Sequence, residues 1–249
     1  MAFSTRSYAR PYLGVPGLPR GIKWLLIVNV AMFLLQWLLR GTAAAQILFN
    51  LLALIPAHVV QRFYLWQLGT YTFLHVDLWE ILWNMLTLWM FGSDIEQTWG
   101  TDRFLRFYFL CGTGAAIFVV LLNYIFGNPL MPAVGASAPI YGILLVCAVL
   151  WPERTVLFIV FPMKMKYFTI LIGAIALYLS FNSSNGASTV GLLTGMIFAY
   201  GYLKTPKLRR FDLFGSVEQS YKAWKLARAK KKFQVYLKKQ RSDRGPWVN

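Results

Sequence analysis

The feature that most constrains this chain is a succession of long apolar stretches with basic residues between them. They cover 24–39, 74–91, 104–126, 137–151, 167–180 and 188–203. A helix needs about 20 mainly apolar residues to cross a bilayer. Most of these stretches approach that length, and the fourth and fifth fall short unless they start part-way down at a re-entrant loop. Only 14% of the chain is charged and 57% is hydrophobic, whereas soluble domains carry about a quarter charged residues. The expected architecture is all-α: a polytopic membrane bundle of six transmembrane helices over 24–203. A segment at 1–23 and a basic tail at 204–249 flank it. No small-residue cleavage site follows the first apolar run, which predicts a retained helix rather than a removed signal peptide. The connection 41–66 has apolar content too short to span and predicts an interfacial or partly re-entrant loop. The connection 127–136 is rich in Gly and Pro and uncharged. Irregular backbone survives at membrane depth only where protein or a water-filled cavity surrounds it, so this loop is the expected location of a site.

The formal charge is +16. All but Arg40 and Arg62 of the 25 basic residues fall at the termini and in alternate connections. By the positive-inside rule both termini are cytoplasmic, in a plasma membrane or bacterial inner membrane. Within the tail, Trp224, Leu226, Phe233, Val235 and Leu237 interleave with lysines and arginines. This predicts an amphipathic helix on anionic lipid headgroups, with about 1 kcal/mol per basic residue near the surface. Topology and an adjacent membrane account for the charge, so nucleic acid is not an expected partner. Cys111 and Cys147 lie in apolar stretches and read as small buried hydrophobes. No metal site and no cofactor are expected, and His58 and His75 are the only histidines.

Polar residues inside apolar spans are costly and are functional candidates. Glu80 and Asn84 lie four apart in the second stretch and share a helix face. His75 stands at its outer end. Ser137 opens the fourth stretch within Gly135-Ala136-Ser137-Ala138-Pro139, where a serine can also be a helix cap. Pro139 restricts Ala138 toward extended geometry. Gly191, Gly195 and Ala199 recur every four residues, a spacing that lets helices approach closely. They predict packing of the sixth helix on the fourth.

Several segments together resemble the rhomboid intramembrane serine proteases. Trp66-Gln67-Leu68-Gly69-Thr70-Tyr71-Thr72-Phe73-Leu74-His75 resembles the stretch entering that family's second helix. The likeness continues through Glu80, Asn84, Phe91-Gly92-Ser93-Asp94-Ile95-Glu96, Trp99-Gly100 and Phe104. Gly135-Ala136-Ser137 with Tyr141-Gly142 resembles the nucleophile motif, and Leu193-Thr194-Gly195 the last catalytic helix. The resemblance implies cleavage of transmembrane segments by a Ser–His dyad without metal. It implies that Ser137 is the nucleophile, that Tyr141 stacks on the base and that Asn84 belongs to the oxyanion hole. Three positions depart from the pattern. The base histidine is Leu192, the oxyanion histidine is Glu80, and the glycine after the serine is Ala138. A serine hydroxyl without an adjacent base is a weak nucleophile. The expectation is a rhomboid-like fold with impaired catalysis that binds transmembrane segments of client proteins. The alternatives are an active endopeptidase using Ser137 with another base, and a small transporter or channel, against which no inverted repeat is visible.

Overall fold

The computed structural model describes residues 18–158, 161–181, 190–191 and 193–205, all within one unit, Met1–Arg209. Leu192, the tail from 206 and residues 1–17 lie outside them. The fold is predominantly helical. In chain order it comprises α1 (Arg20–Leu38), α2 (Ala43–Leu52), α3 (Pro56–Gln61), α4 (Gln67–Thr70) and a 3₁₀ turn (Tyr71–Phe73). Then come α5 (Leu78–Thr87), a π-helical turn (Leu88–Gly92), α6 (Ser93–Trp99), α7 (Thr101–Ile125) and α8 (Ser137–Leu150). A hairpin of β1 (Thr155–Phe158) and β2 (Phe161–Lys164), α9 (Met165–Phe181) and α10 (Gly195–Lys204) complete it.

Helical residues are found in each of the six apolar stretches. Two helices, α1 and α7, are each long and apolar enough to cross a bilayer alone, whereas α8 and α9 are shorter. The second stretch differs from expectation at both ends. Leu74 is extended, the helix starts at Leu78, and it runs on through the π turn to Trp99. Asp77 sets the start, because its carboxylate accepts the Glu80 N–H at 2.8 Å and so satisfies a backbone donor with no intrahelical partner.

The core forms around α7. Phe104, Phe107, Tyr108 and Cys111 on that helix pack with Ile140, Ile143, Leu144 and Cys147 of α8 and with Ala199 and Tyr202 of α10. Both cysteines are buried free thiols. The periphery is apolar too. Trp24, Leu34 and Trp37 on α1, and Trp79, Leu82 and Trp83 on α5, are exposed. Large exposed apolar groups on both helices make a surface suited to lipid chains.

Small residues set the closest contacts. A Cβ on Gly195 would strike the Ala138 carbonyl oxygen, and one on Gly142 would lie 2.8 Å from the Cys111 sulfur. Here α10 and α8 meet almost backbone to backbone. Gly191 departs from the expected α8 contact: its neighbour is Val119 of α7, at 2.6 Å from the Cβ position. The reason is geometric: Gly191 precedes α10, which begins at Gly195, and meets α7, whereas α10 itself sits against both α7 and α8.

α1 is anchored at its N-terminus by Glu96, which is only 2% exposed. The Glu96 carboxylate accepts the N–H groups of Gly21 and Ile22, each at 2.7 Å, and the Thr101 hydroxyl at 2.6 Å. An anion at a helix N-terminus satisfies orphan donors and complements the helix dipole. Gly21 makes this possible, as a Cβ there would lie 2.9 Å from a carboxylate oxygen. The antiparallel hairpin pairs Thr155 with Lys164 and Phe158 with Phe161. Beside it Arg154 pairs with Asp94, and Glu153 bridges Lys164 and Lys166 at 2.6 Å each. The two ammonium groups hold the Glu153 carboxyl down to about 2.

Candidate active site

Two irregular connections clasp each other and deliver Ser137. In the first, α2 and α3 are tied to α4. Gln67 is fully buried; its Oε1 accepts the Ile55 N–H at 3.1 Å and its Nε2 donates to the Asn50 carbonyl at 2.8 Å. Thr70 donates to the Leu52 carbonyl at 2.8 Å. In the second, Leu54 and Ala133 exchange backbone hydrogen bonds, the Ala57 N–H donates to the Pro129 carbonyl at 2.9 Å, and the Gly135 N–H donates to the Tyr71 carbonyl at 3.0 Å. Tyr71 is itself fixed by its hydroxyl, which donates to the Gly112 carbonyl on α7 at 2.8 Å. Buried irregular backbone must find partners, and each loop supplies the other's.

Gly135 has φ +105°, a region that side chains other than glycine's rarely adopt. The turn it makes places Ala136 at the N-cap of α8 and Ser137 at the first helical position. No side chain caps this helix. The expected capping role of Ser137 is therefore corrected: a residue already inside the helix is past the cap position. Ala138 is also helical, not extended. Pro139 sits in the first turn, where the missing N–H has no intrahelical acceptor in any case, so the helix overrides the preference it imposes on its neighbour.

Ser137, Tyr141 and Leu144 line one side of a cleft of about 400 Å³. Trp83, Asn84 and Phe91 face them from α5 and the π turn, and Phe168 and Ile172 from α9. The walls are apolar apart from a few polar groups. One of these is the Asn84 amide, whose Nδ2 is buried without a hydrogen-bond partner among the described residues. The cleft thus brings together the serine hydroxyl, an uncommitted amide donor and the Tyr141 ring. No histidine is among its lining residues. His58 lies in α3 and His75 at a separate cavity.

Glu80 behaves differently from its helix neighbour Asn84. It belongs to a capping arrangement at the start of α5: its Oε2 accepts the Val76 N–H at 2.9 Å while Asp77 accepts the Glu80 N–H. The other carboxylate oxygen lies against Gly135, where any Cβ would collide with it. The carboxylate therefore closes the turn before α5 and touches the loop that leads to Ser137. Gln67 and Tyr71, which are not among the expected site residues, hold the loops in place. Both are polar side chains in an apolar-aromatic segment, and that is the signal by which they could have been found.

A family model described as the Rhomboid domain matches residues 62–205. RHOMBOID-like protein 1 of Arabidopsis thaliana is 30% identical over 164 residues, 64% of this chain and 40% of that protein. Rhomboid protease GlpG of Haemophilus influenzae is 27% identical over 163 residues, covering 64% of this chain and 79% of its own length. The mitochondrial Rhomboid protein 1 of Saccharomyces cerevisiae is 29% identical over 91 residues, and the match spans 36% of this chain and 26% of the yeast protein.

Proposed function

Because this chain belongs to the rhomboid family, with the domain matched over 62–205, we propose that it uses the family's six-span membrane scaffold to bind transmembrane segments of other proteins while hydrolysing them poorly or not at all. The carrying observation is the cleft: Ser137 and Asn84 share it, and no lining residue is a histidine. Leu192 stands at the position of the family's base and cannot accept a proton. Loss of the base in serine hydrolases lowers the rate by about 10⁴–10⁶. Apolar walls with a few polar groups suit an apolar helical segment that is partly unwound, since unwound backbone in lipid needs hydrogen-bond partners. In this reading Asn84 offers one such donor. Both termini are cytoplasmic, in a plasma or bacterial inner membrane, and the basic tail adds attraction to anionic lipids.

The test is cleavage of a model transmembrane substrate by the unmodified chain beside Ser137→Ala, together with fluorophosphonate labelling of Ser137. Neither should exceed background, while the substrate segment should still crosslink to Trp83 or Phe168 positions. Leu192→His alone should restore little, and Leu192→His with Glu80→His and Ala138→Gly should restore measurable cleavage, because catalytic groups act as a unit. Serine-dependent cleavage by the unmodified chain would overturn the reading and direct attention to Glu80, which stands beside Gly135.

A further inference from the structure

A second cavity, of about 510 Å³, lies at the end of α1 remote from the Glu96 anchor. Its walls come from three places: Gln36, Trp37 and Arg40 at the end of α1, Phe49 of α2, and His75 and Asp77 before α5. The polar groups in it are unusually uncommitted. His75 is 2% exposed, and neither ring nitrogen has a hydrogen bond of ordinary geometry, although the Phe73 carbonyl lies beside the ring. Buried polar atoms are nearly always partnered, and leaving one without a partner is costly. The Gln36 carbonyl oxygen accepts the His75 backbone N–H at 3.3 Å, which leaves the Gln36 amide nitrogen for other use. Among the described residues Arg40 forms no ion pair, and the Asp77 carboxylate, which accepts the Glu80 N–H, forms none either.

One cation, one anion, a buried imidazole and an indole wall in a single cavity define a narrow ligand class. A purely anionic ligand would meet Asp77, and a purely cationic one would meet Arg40. A zwitterion satisfies both. Trp37 is 66% exposed, and tryptophan and arginine at the end of an apolar helix are characteristic of the headgroup region of a bilayer. We propose that this cavity binds a phospholipid with a phosphoethanolamine headgroup. The phosphate lies between Arg40 and the His75 ring, the ammonium lies at Asp77, and the acyl chains run down the apolar face of α1 past Trp37. The site rests on the membrane placement proposed above but not on the reactivity of Ser137, so labelling at Ser137 and lipid binding fail independently.

The experiment uses the full chain, delipidated in a maltoside detergent, with thermal midpoint and native mass spectrometry as readouts. Four probes are titrated: phosphatidylethanolamine, phosphatidylglycerol with the same acyl chains, glycerophosphoethanolamine and inorganic phosphate. Phosphatidylethanolamine should bind at least about fivefold more tightly than phosphatidylglycerol, the margin expected of one exposed charge pair of about 1 kcal/mol. Arg40→Gln should weaken both lipids by about tenfold, the value of one charge-assisted hydrogen bond. Asp77→Asn keeps an oxygen for the Glu80 N–H and removes only the charge, so it should abolish the preference between the lipids. Both side chains are exposed, and unchanged helical circular dichroism and lipid-free midpoints will show that the variants fold. Equal affinity for the two lipids, or a preference that survives Asp77→Asn, or binding that ignores Arg40→Gln, overturns the proposal. Stabilisation by inorganic phosphate or glycerophosphoethanolamine alone to the same degree as by lipid also overturns it, in favour of a site for soluble anions or headgroups.

Discussion

Gly135 carries more of the candidate site than its size suggests. Its positive φ turns the chain into α8, its N–H fixes it to Tyr71, and its missing Cβ admits the Glu80 carboxylate. Gly135→Ala therefore meets two obstacles, a strained backbone of about 1–3 kcal/mol and a collision with Glu80. The expected result is a melting midpoint in detergent well below that of the parent. Glu80→Ala made in the same chain should recover part of the loss by removing the collision but not the strain. If the two changes are simply additive, the contact between Glu80 and Gly135 is not what the glycine serves. Glu80 also shows how one carboxylate can be read in two ways. Its alignment with an oxyanion histidine marks it as chemical, while its bond to Val76 N–H makes it part of a helix start. The expected gain from Glu80→His is accordingly set against the loss of that bond.

At the scale of elements, the pairing of α8 with α10 depends on absent side chains. Gly195 faces the backbone of Ala138 and Gly142 faces Cys111 and the Gly195 carbonyl. Backbone atoms cannot rotate away as a long side chain can, so even Gly195→Ala must move a helix. Gly195→Leu should separate α10 from α8 and lower the thermal midpoint, with a loss at or above the 1–3 kcal/mol typical of overpacking. An unchanged midpoint would mean that α10 does not lie on α8 in the membrane. The π turn between α5 and α6 is another element-scale feature. It adds one residue to a helical turn directly where Phe91 reaches the cleft. The helix thereby runs on to present buried Glu96 to α1.

For the molecule as a whole, the basic residues and the apolar surface make separate statements about the bilayer. The exposed tryptophans and leucines of α1 and α5 require a lipid environment around the bundle. The distribution of Lys and Arg sets which side faces the cytoplasm. Reporter fusions placed after Lys204 should read as cytoplasmic, and fusions within 127–136 as external. The opposite pattern would invert the proposed orientation and place Arg40, Arg62 and the second cavity on the cytoplasmic side.

The apolar stretches, the basic connections and the Gly135-Ala136-Ser137 segment were legible in the sequence. Hydropathy and charge act through local composition, so the helical character and the membrane environment follow without tertiary contacts, and the family followed from the resemblance of its motif segments. The start of α5 was missed: the apolar stretch runs from 74, whereas Asp77 accepts the Glu80 N–H and opens the helix at Leu78. Other features depended on residues far apart in the chain. Nothing local says that Glu96 accepts the Gly21 N–H 75 residues earlier, that Gly191 meets α7 while Gly195 meets α8, or that Glu80 lies against Gly135 while Asn84 lines the cleft of Ser137. Ser137 and Pro139 were misread for the same reason: a cap and a proline are judged against the position where the helix begins, and here the clasp of the two loops through Tyr71, Gly135 and Ala133 sets that position. Composition and periodicity determined what kind of surface each segment presents. Only the folded chain, by satisfying the backbone of two irregular loops against each other, decided where the serine stands and which side chains share its cleft.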